Sequence, residues 1–220
     1  MALAAETLAQ STVPTQQEML AALEKRQGVD AVRKLQAATV AVCGLGGLGS
    51  NIAISLARAG VGKLILIDFD CVDVTNLHRQ QYKACQVGLP KPEALLANLK
   101  EVAPYTEFET HFEKVTAENA EALLSKADVI CEAFDNAEAK AMLVNTVLES
   151  MPKKFLVAAS GMAGFDCGNS ITTRKVTKHF YVCGDGKSDI ADGIGLVAPR
   201  VMLCAAHQAL TAIRLILGMS

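Results

Sequence analysis

The sequence predicts an α/β fold: a Rossmann-like, doubly wound, mainly parallel sheet with helices on both faces. A helical arm precedes it and an apolar C-terminal helix closes it. Three observations carry this prediction. Short runs around 40–43, 63–68, 128–134 and 155–159 are apolar almost throughout, as strands buried on both faces are. Stretches of helical character separate them, and that alternation marks a parallel sheet with crossover helices. The first run passes straight into Gly44-Leu45-Gly46-Gly47-Leu48-Gly49 and then a helix, the setting in which a G-x-G-x-x-G sequence holds a phosphate on helix-terminal amides.

Composition narrows the classes. The 220 residues are 51% hydrophobic and 20% charged with a formal net charge of −2, which describes a core-rich globule and lacks the basic footprint of a nucleic-acid binder. Residues 1–17 carry no basic and apolar leader pattern. The most apolar stretch, 197–219, contains Arg200, His207, Gln208 and Arg214, which suits a buried or dimer-interface helix better than a membrane span. Seven cysteines, an odd number with no C-x-x-C pair, predict free thiols in a reducing, cytoplasmic setting; Cys43 and Cys131 read as core residues, and the spacings build no zinc site.

In chain order, 14–36 reads as a helix or helix pair broken at Gly28, so that 1–36 form an arm and 37–220 the nucleotide-binding domain. Strand 63–68 ends on Asp68, about 20 residues beyond the glycine loop, where a dinucleotide-binding unit places its ribose-binding acid. Residues 69–92 are polar, and Pro90 and Pro92 flank Lys91 to open a helix reaching Val102. A strand over 106–112, a helix over 117–124, the strand at 128–134 and a helix over 136–148 follow. After the strand at 155–159 the pattern changes: 171–174 and 179–183 suit a β-ribbon, and 184–195 is a Gly- and Asp-rich loop of the kind that is functional or mobile.

Up to Asp68 a nicotinamide-dependent oxidoreductase and an ATP-using enzyme fit equally well. Residues 68–91 favour ATP, because Arg79 and Lys91 place two cations after the ribose acid, which suits a triphosphate whose charge develops as pyrophosphate leaves. The ordered motifs Gly-Leu-Gly-Gly-Leu-Gly, Asp-Phe-Asp-x-Val-x-x-x-Asn-Leu-x-Arg-Gln and Gly-x-Pro-Lys resemble the ThiF/MoeB family, which adenylates ubiquitin-like sulfur carriers. The resemblance covers roughly 37–160. The stretches at 158–164 and 181–186 resemble the short ThiF branch, associated with thiamine biosynthesis.

The resemblance implies roles position by position. Gly44, Gly46, Gly47 and Gly49 would cradle phosphates, Asp68 would bind ribose, and Asp70 would face the site. Asn76, Arg79 and Lys91 would contact phosphates, with Gln80 following as in the motif. Asp135, in Phe134-Asp135-Asn136, matches the magnesium-linked aspartate, although Phe replaces the family's hydroxyl residue; Asp135 also reads as a helix N-cap with Glu138 completing a capping box. The implied reaction is attack by a carrier's Gly-Gly carboxylate, ThiS-like, on the α-phosphorus of Mg-ATP, and the implied assembly is a homodimer. The departures are plain: the two C-x-x-C zinc pairs of many members are missing, and Arg26 is only the nearest match to the partner-supplied arginine. Cys183 is the candidate by position for a covalent link to the carrier, beside the reading of an ordinary strand thiol. The four histidines show no metal or catalytic spacing, and Arg174, Lys175 and Lys178 form a solvated basic cluster that would suit an acidic carrier. A MoaD-like carrier, a nicotinamide oxidoreductase and a non-catalytic nucleotide scaffold remain as alternatives.

Overall fold

The computed structural model describes residues 13–189, 193 and 195–219. Helices α1 (Gln16–Gln27) and α2 (Val29–Gln36) precede β1 (Thr39–Cys43). There follow α3 (Gly47–Ala59), β2 (Lys63–Ile67), α4 (Lys91–Val102), β3 (Glu107–His111), α5 (Ala120–Leu124) and β4 (Val129–Glu132). The chain continues through α6 (Ala137–Ser150), β5 (Phe155–Ala159), β6 (Thr172–Lys175), β7 (Phe180–Gly184) and α7 (Ala198–Leu217). One seven-stranded sheet runs in the order β3-β2-β1-β4-β5-β7-β6. Every pairing is parallel except β6 with β7. The order reverses at β1, so a crevice opens between the carboxyl ends of β1 and β4, where open α/β sheets bind ligands.

Central strands are buried on both faces and the edges are not: β4 is buried at every position, whereas all of β6 is exposed. Alternate residues feed two cores. Val40, Val42, Leu64, Leu66 and Val129 pack beneath Ile52 and Leu56 of α3 and Val201 and Ala205 of α7. Ala41, Ile65, Ile130 and Leu156 pack against Leu124, Leu143 and Val147 of α5 and α6. The helix α7 is long and apolar enough to cross a membrane, but its buried face lies on α3 and on β4, β5 and β7, so it serves as a core helix.

Several boundaries differ from the sequence pattern for local reasons. Gly28 (φ 88°) separates α1 from α2; α1 buries none of its residues, while α2 sends Leu35 into the core. The helix expected from 117 starts at Ala120, because the Asn119 side chain accepts from the Thr116 amide and donates to the Lys114 carbonyl. Strand β4 stops at Glu132, since the Phe134 amide donates to the Glu132 carboxylate at 2.7 Å and leaves the ladder. The N-cap of α6 is Asn136, whose Oδ1 accepts from Ala139 at 2.9 Å; Asp135 does not cap the helix and no capping box with Glu138 forms.

Candidate functional site

The glycine loop is shaped by close approaches. Gly44 leaves β1 with φ +90°, and a Cβ there would lie 2.8 Å from the Ala133 carbonyl oxygen beyond β4. Gly46 forms the N-cap of α3 with no side-chain cap, so the first amides of that helix face the crevice without intrahelical acceptors. Gly49 has a different role from the one the motif implied. A Cβ at Gly49 would fall 1.7 Å from the Gly44 carbonyl oxygen, and Gly49 does not line the crevice; it lets α3 press against β1.

Asp68 follows β2 and braces the loop. One carboxylate oxygen accepts from the Leu45 amide at 2.6 Å, the other from the Asp70 amide at 2.8 Å. The chain then doubles back: Cys71 pairs with Pro90 in an antiparallel bridge, and the Lys91 amide donates to the Asp70 carbonyl at 2.9 Å. This fold-back brings Lys91, at the start of α4, to 2.9 Å from the Asp70 carboxylate and 4.0 Å from that of Asp68. Lys91 and Asp68 are both buried. Burial pushes the Asp68 carboxyl above its usual range, against the pull of Lys91 and the two amides.

Between these points, Arg79 donates to the Asn76 side chain at 2.7 Å. Its backbone carbonyl accepts from Asn51 of α3, and Asn51 in turn accepts from the Gln81 side chain, so the Arg79 segment is tied to the phosphate-loop helix. Partial burial lowers the Arg79 guanidinium from its ordinary value, and the charge of Asp135 acts in the opposite sense. Gln80 is buried at the crevice wall, and its Oε1 has no hydrogen-bond partner among the described residues. Asp135 lies exposed on the opposite lip, beyond β4.

The resulting cleft encloses about 550 Å³ and is lined by Gly44, Gly46, Gly47, Asp68, Asp70, Asn76, Arg79, Gln80, Lys91 and Asp135. Of the residues assigned to nucleotide binding or covalent chemistry from the sequence, Gly49 and Cys183 are not brought there; Arg26 and the basic cluster Arg174, Lys175 and Lys178 also lie outside it. Cys183 is wholly buried in β7, near the hydroxyls of Thr173 (3.5 Å) and Thr211 (3.9 Å), and burial raises its thiol above the ordinary range. A carrier cannot reach that sulfur in this conformation, which removes Cys183 as the covalent candidate.

The structure adds residues that the sequence reading passed over. Phe69 is 51% exposed at the cleft, with the Lys114 ammonium 5.9 Å from its ring centroid. Lys140, one turn into α6, donates to both oxygens of the buried Glu132 (3.0 and 3.1 Å) and to the Ala159 carbonyl (3.1 Å). Burial drives the Glu132 carboxyl upward and Lys140 opposes it. A polar residue ending an otherwise apolar strand was the available signal for Glu132. Residues 159–163, which entered only through the resemblance at 158–164, also line the cleft, as do Ser188 and Val201, which no motif marked.

A glycine cradle, an open helix N-terminus, an acid at the end of β2 and facing cations define a nucleotide-binding α/β domain. The chain belongs to the ThiF family, whose model matches residues 18–220. It is 33% identical over 210 residues to the adenylyltransferase and sulfurtransferase MOCS3 of Aedes aegypti, covering 88% of this chain and 45% of that protein. It is 34% identical over 139 residues to ubiquitin-like modifier-activating enzyme 5 of Branchiostoma floridae, covering 58% of this chain and 34% of the other. The chain thus spans less than half the length of these curated relatives. The fold matches that of Escherichia coli tRNA N6-threonylcarbamoyladenosine dehydratase, TcdA, in complex with ATP: TM-score 0.84, 21% identity, 94% of this chain and 98% of that one. It also matches E. coli MccB with ATP at a TM-score of 0.69 and 22% identity, over 88% of this chain and 59% of that one.

Proposed function

We propose that this chain uses Mg-ATP to adenylate the C-terminal Gly-Gly carboxylate of a ubiquitin-like sulfur carrier, ThiS-like, in cytoplasmic thiamine biosynthesis, working as a homodimer. The observation that carries the reading is the convergence of Arg79, Lys91 and the amino end of α3 on one side of a single cleft, with Asp135 across it. ATP suits the site on its own features. The glycines leave room where side chains would block a phosphate, and the orphaned Gln80 Oε1 awaits a donor such as a ribose hydroxyl or an amino group.

In the reaction a carboxylate oxygen attacks the α-phosphorus, the bond from that phosphorus to the bridging oxygen breaks, and pyrophosphate departs. An anion approaches an anionic centre, so the task is electrostatic. Arg79 and the helix amides would hold the phosphates, and Lys91 would exchange part of its Asp70 contact for them. Asp135 fits a Mg²⁺ held mainly by phosphates and water: its carboxylate is a hard oxygen donor at the cleft, and no group of three or more ligating side chains forms a dedicated cage among the described residues. Bound there, the ion would neutralise charge developing on the leaving group.

Similarity to MOCS3-type proteins keeps a MoaD-like carrier as the second reading. The test is ATP–pyrophosphate exchange with purified ThiS-like and MoaD-like carriers. Exchange that depends on the carrier and falls by about 100-fold or more in Arg79→Ala and Asp135→Ala supports the proposal. ATP binding without exchange would mark a scaffold, and NAD binding in place of ATP would overturn the reading.

A further inference from the structure

The two walls of the cleft differ in chemistry. The nucleotide side carries Asp68, Arg79 and Lys91, whereas 159–163 supply Ala159, Ser160, Gly161 and Ala163, with Met162, and are flanked by the Lys140 ammonium, 3.1 Å from the Ala159 carbonyl, and by Asp189. Behind it lies Arg200, in the first turn of α7, only 4% exposed. All of its donors are used. Nε donates to the Ala163 carbonyl (3.1 Å), Nη1 to the carbonyls of Asp166 (2.8 Å) and Cys167 (3.1 Å), and Nη2 to Ser170 Oγ (3.2 Å) and Asp185 Oδ2 (2.5 Å).

Asp185 extends the web. Its Oδ1 accepts from the amides of Lys187 (2.8 Å) and Ser188 (2.9 Å), and its Oδ2 from the Ser188 hydroxyl (2.8 Å), whose oxygen accepts from the Ala163 amide (3.0 Å). The backbone is tied as well: the Asp185 amide donates to Gly161 and that of Gly186 to Ser160. At Gly161, with φ +80°, a Cβ would lie 2.0 Å from Asp185 Oδ1, so a side chain there would break the web. One buried ion pair therefore joins three segments distant in sequence, and two of them, through 160–163 and Ser188, line the cleft with small side chains. Neither Arg200 nor Asp185 lines the cleft itself.

We propose that the Arg200–Asp185 pair is a positioning device for the acceptor: it holds 160–163 and Ser188 as a rigid wall along which the carrier's Gly-Gly tail lies. This rests on the adenylation reading above and extends it. A tail without side chains suits a wall of small residues. A misplacement of about 1 Å in such a wall weakens seating of the tail, and so lowers kcat/KM for the carrier, without touching the reacting groups. Nucleotide binding is left to the other wall.

The test compares wild type with Arg200→Lys and Asp185→Asn, measuring ATP affinity by calorimetry and carrier-dependent exchange kinetics with purified ThiS-like and MoaD-like carriers. The double variant Arg200→Met/Asp185→Leu is included because removing both charges avoids stranding one of them. The expected result is a carrier KM raised about tenfold or more, kcat less affected, and an ATP dissociation constant within about twofold of wild type. Unchanged carrier KM in folded variants overturns the proposal. So does a parallel loss of ATP affinity and thermal stability, which would make the pair structural only. Absence of exchange in the wild type with both carriers instead overturns the adenylation reading, and this proposal with it.

Discussion

Gly49→Ala separates the packing role of a glycine from the ligand role of its neighbours. The added methyl would meet the Gly44 carbonyl oxygen at 1.7 Å and its carbon at 2.8 Å. A carbon and a non-bonded carbonyl oxygen settle at about 3.3 Å, so α3 would have to retreat from β1 by about 1.6 Å. The obstacle is backbone and cannot rotate away, which puts the overpacking cost near about 3 kcal/mol. Replacing a helical glycine by alanine returns at most about 1 kcal/mol. The net loss is about 2 kcal/mol, a fall in Tm of roughly 4–8 °C for a chain of this size. Gly46→Ala is the control, because the nearest atom to its added methyl is Gln80 Nε2 at 3.6 Å, an ordinary contact. It should change stability by under about 1 kcal/mol while lowering ATP affinity about tenfold or more, through crowding of the phosphate approach. Thermal melts and ATP titration of both variants decide the matter. A Gly49→Ala protein as stable as wild type and with full ATP affinity would refute the reasoning.

Lys91→Met leaves the buried Asp68 without its cation, and should cost about 3 kcal/mol in denaturant unfolding together with most ATP affinity; loss of affinity alone would show that the pair does not support the fold. For Asp185, burial by itself would raise the carboxyl, but the Ser188 and Lys187 amides, the Ser188 hydroxyl and Arg200 hold it at about 2. A depressed carboxyl contributes stability above its unfolded value of about 3.9 and loses it as pH falls through the folded one. Wild type should therefore exceed Asp185→Asn by on the order of 2 kcal/mol near neutrality, with the gap closing between about pH 4 and pH 2; a gap independent of pH would refute the assignment. Thiol titration of the native protein should modify the exposed Cys71, Cys85 and Cys167 quickly, and Cys43, Cys131, Cys183 and Cys204 only on unfolding. Cys183→Ala should retain carrier-dependent exchange, and its loss in a folded variant would restore that thiol to the mechanism.

What the sequence disclosed depended on whether the signal was local. Buried strands are uniform apolar runs, so β1, β2, β4 and β5 lie where the pattern put them, and Pro90 and Pro92 marked the opening of α4. Asp68, Arg79 and Lys91 were legible because motif order stood in for geometry, although the fold-back through Cys71 and Pro90 that joins them was not. Gly49 was read with its neighbours, since spacing cannot tell a glycine that faces a ligand from one that faces a strand. Asp135 and Asn136 compete for one cap, and only backbone direction chooses between them. Arg200 was noticed merely as a charge in an apolar helix. Its partners come from 163–170 and 185, in loops without periodicity; the resemblances at 158–164 and 181–186 include Ala163 and Asp185 but carry no sign that the two meet at one guanidinium.

The placement of α7 bears on how the protein is made. Val201 stands so close to the phosphate loop that a Cβ on Gly47 would lie 3.0 Å from its Cγ1. Gln208 donates to the carbonyls of Glu132 at the end of β4 and Val157 in the middle of β5. A ribosome emits the chain from its N-terminus at about 5–20 residues per second. The glycine loop thus emerges well before the helix that backs it. A nascent chain that has finished β5 carries the glycine loop, Asp68, Arg79, Lys91 and Asp135 before α7 exists to pack on α3. The cleft lacks its Leu196 and Val201 lining until that last segment is in place, so the site is the part of the fold that synthesis completes last.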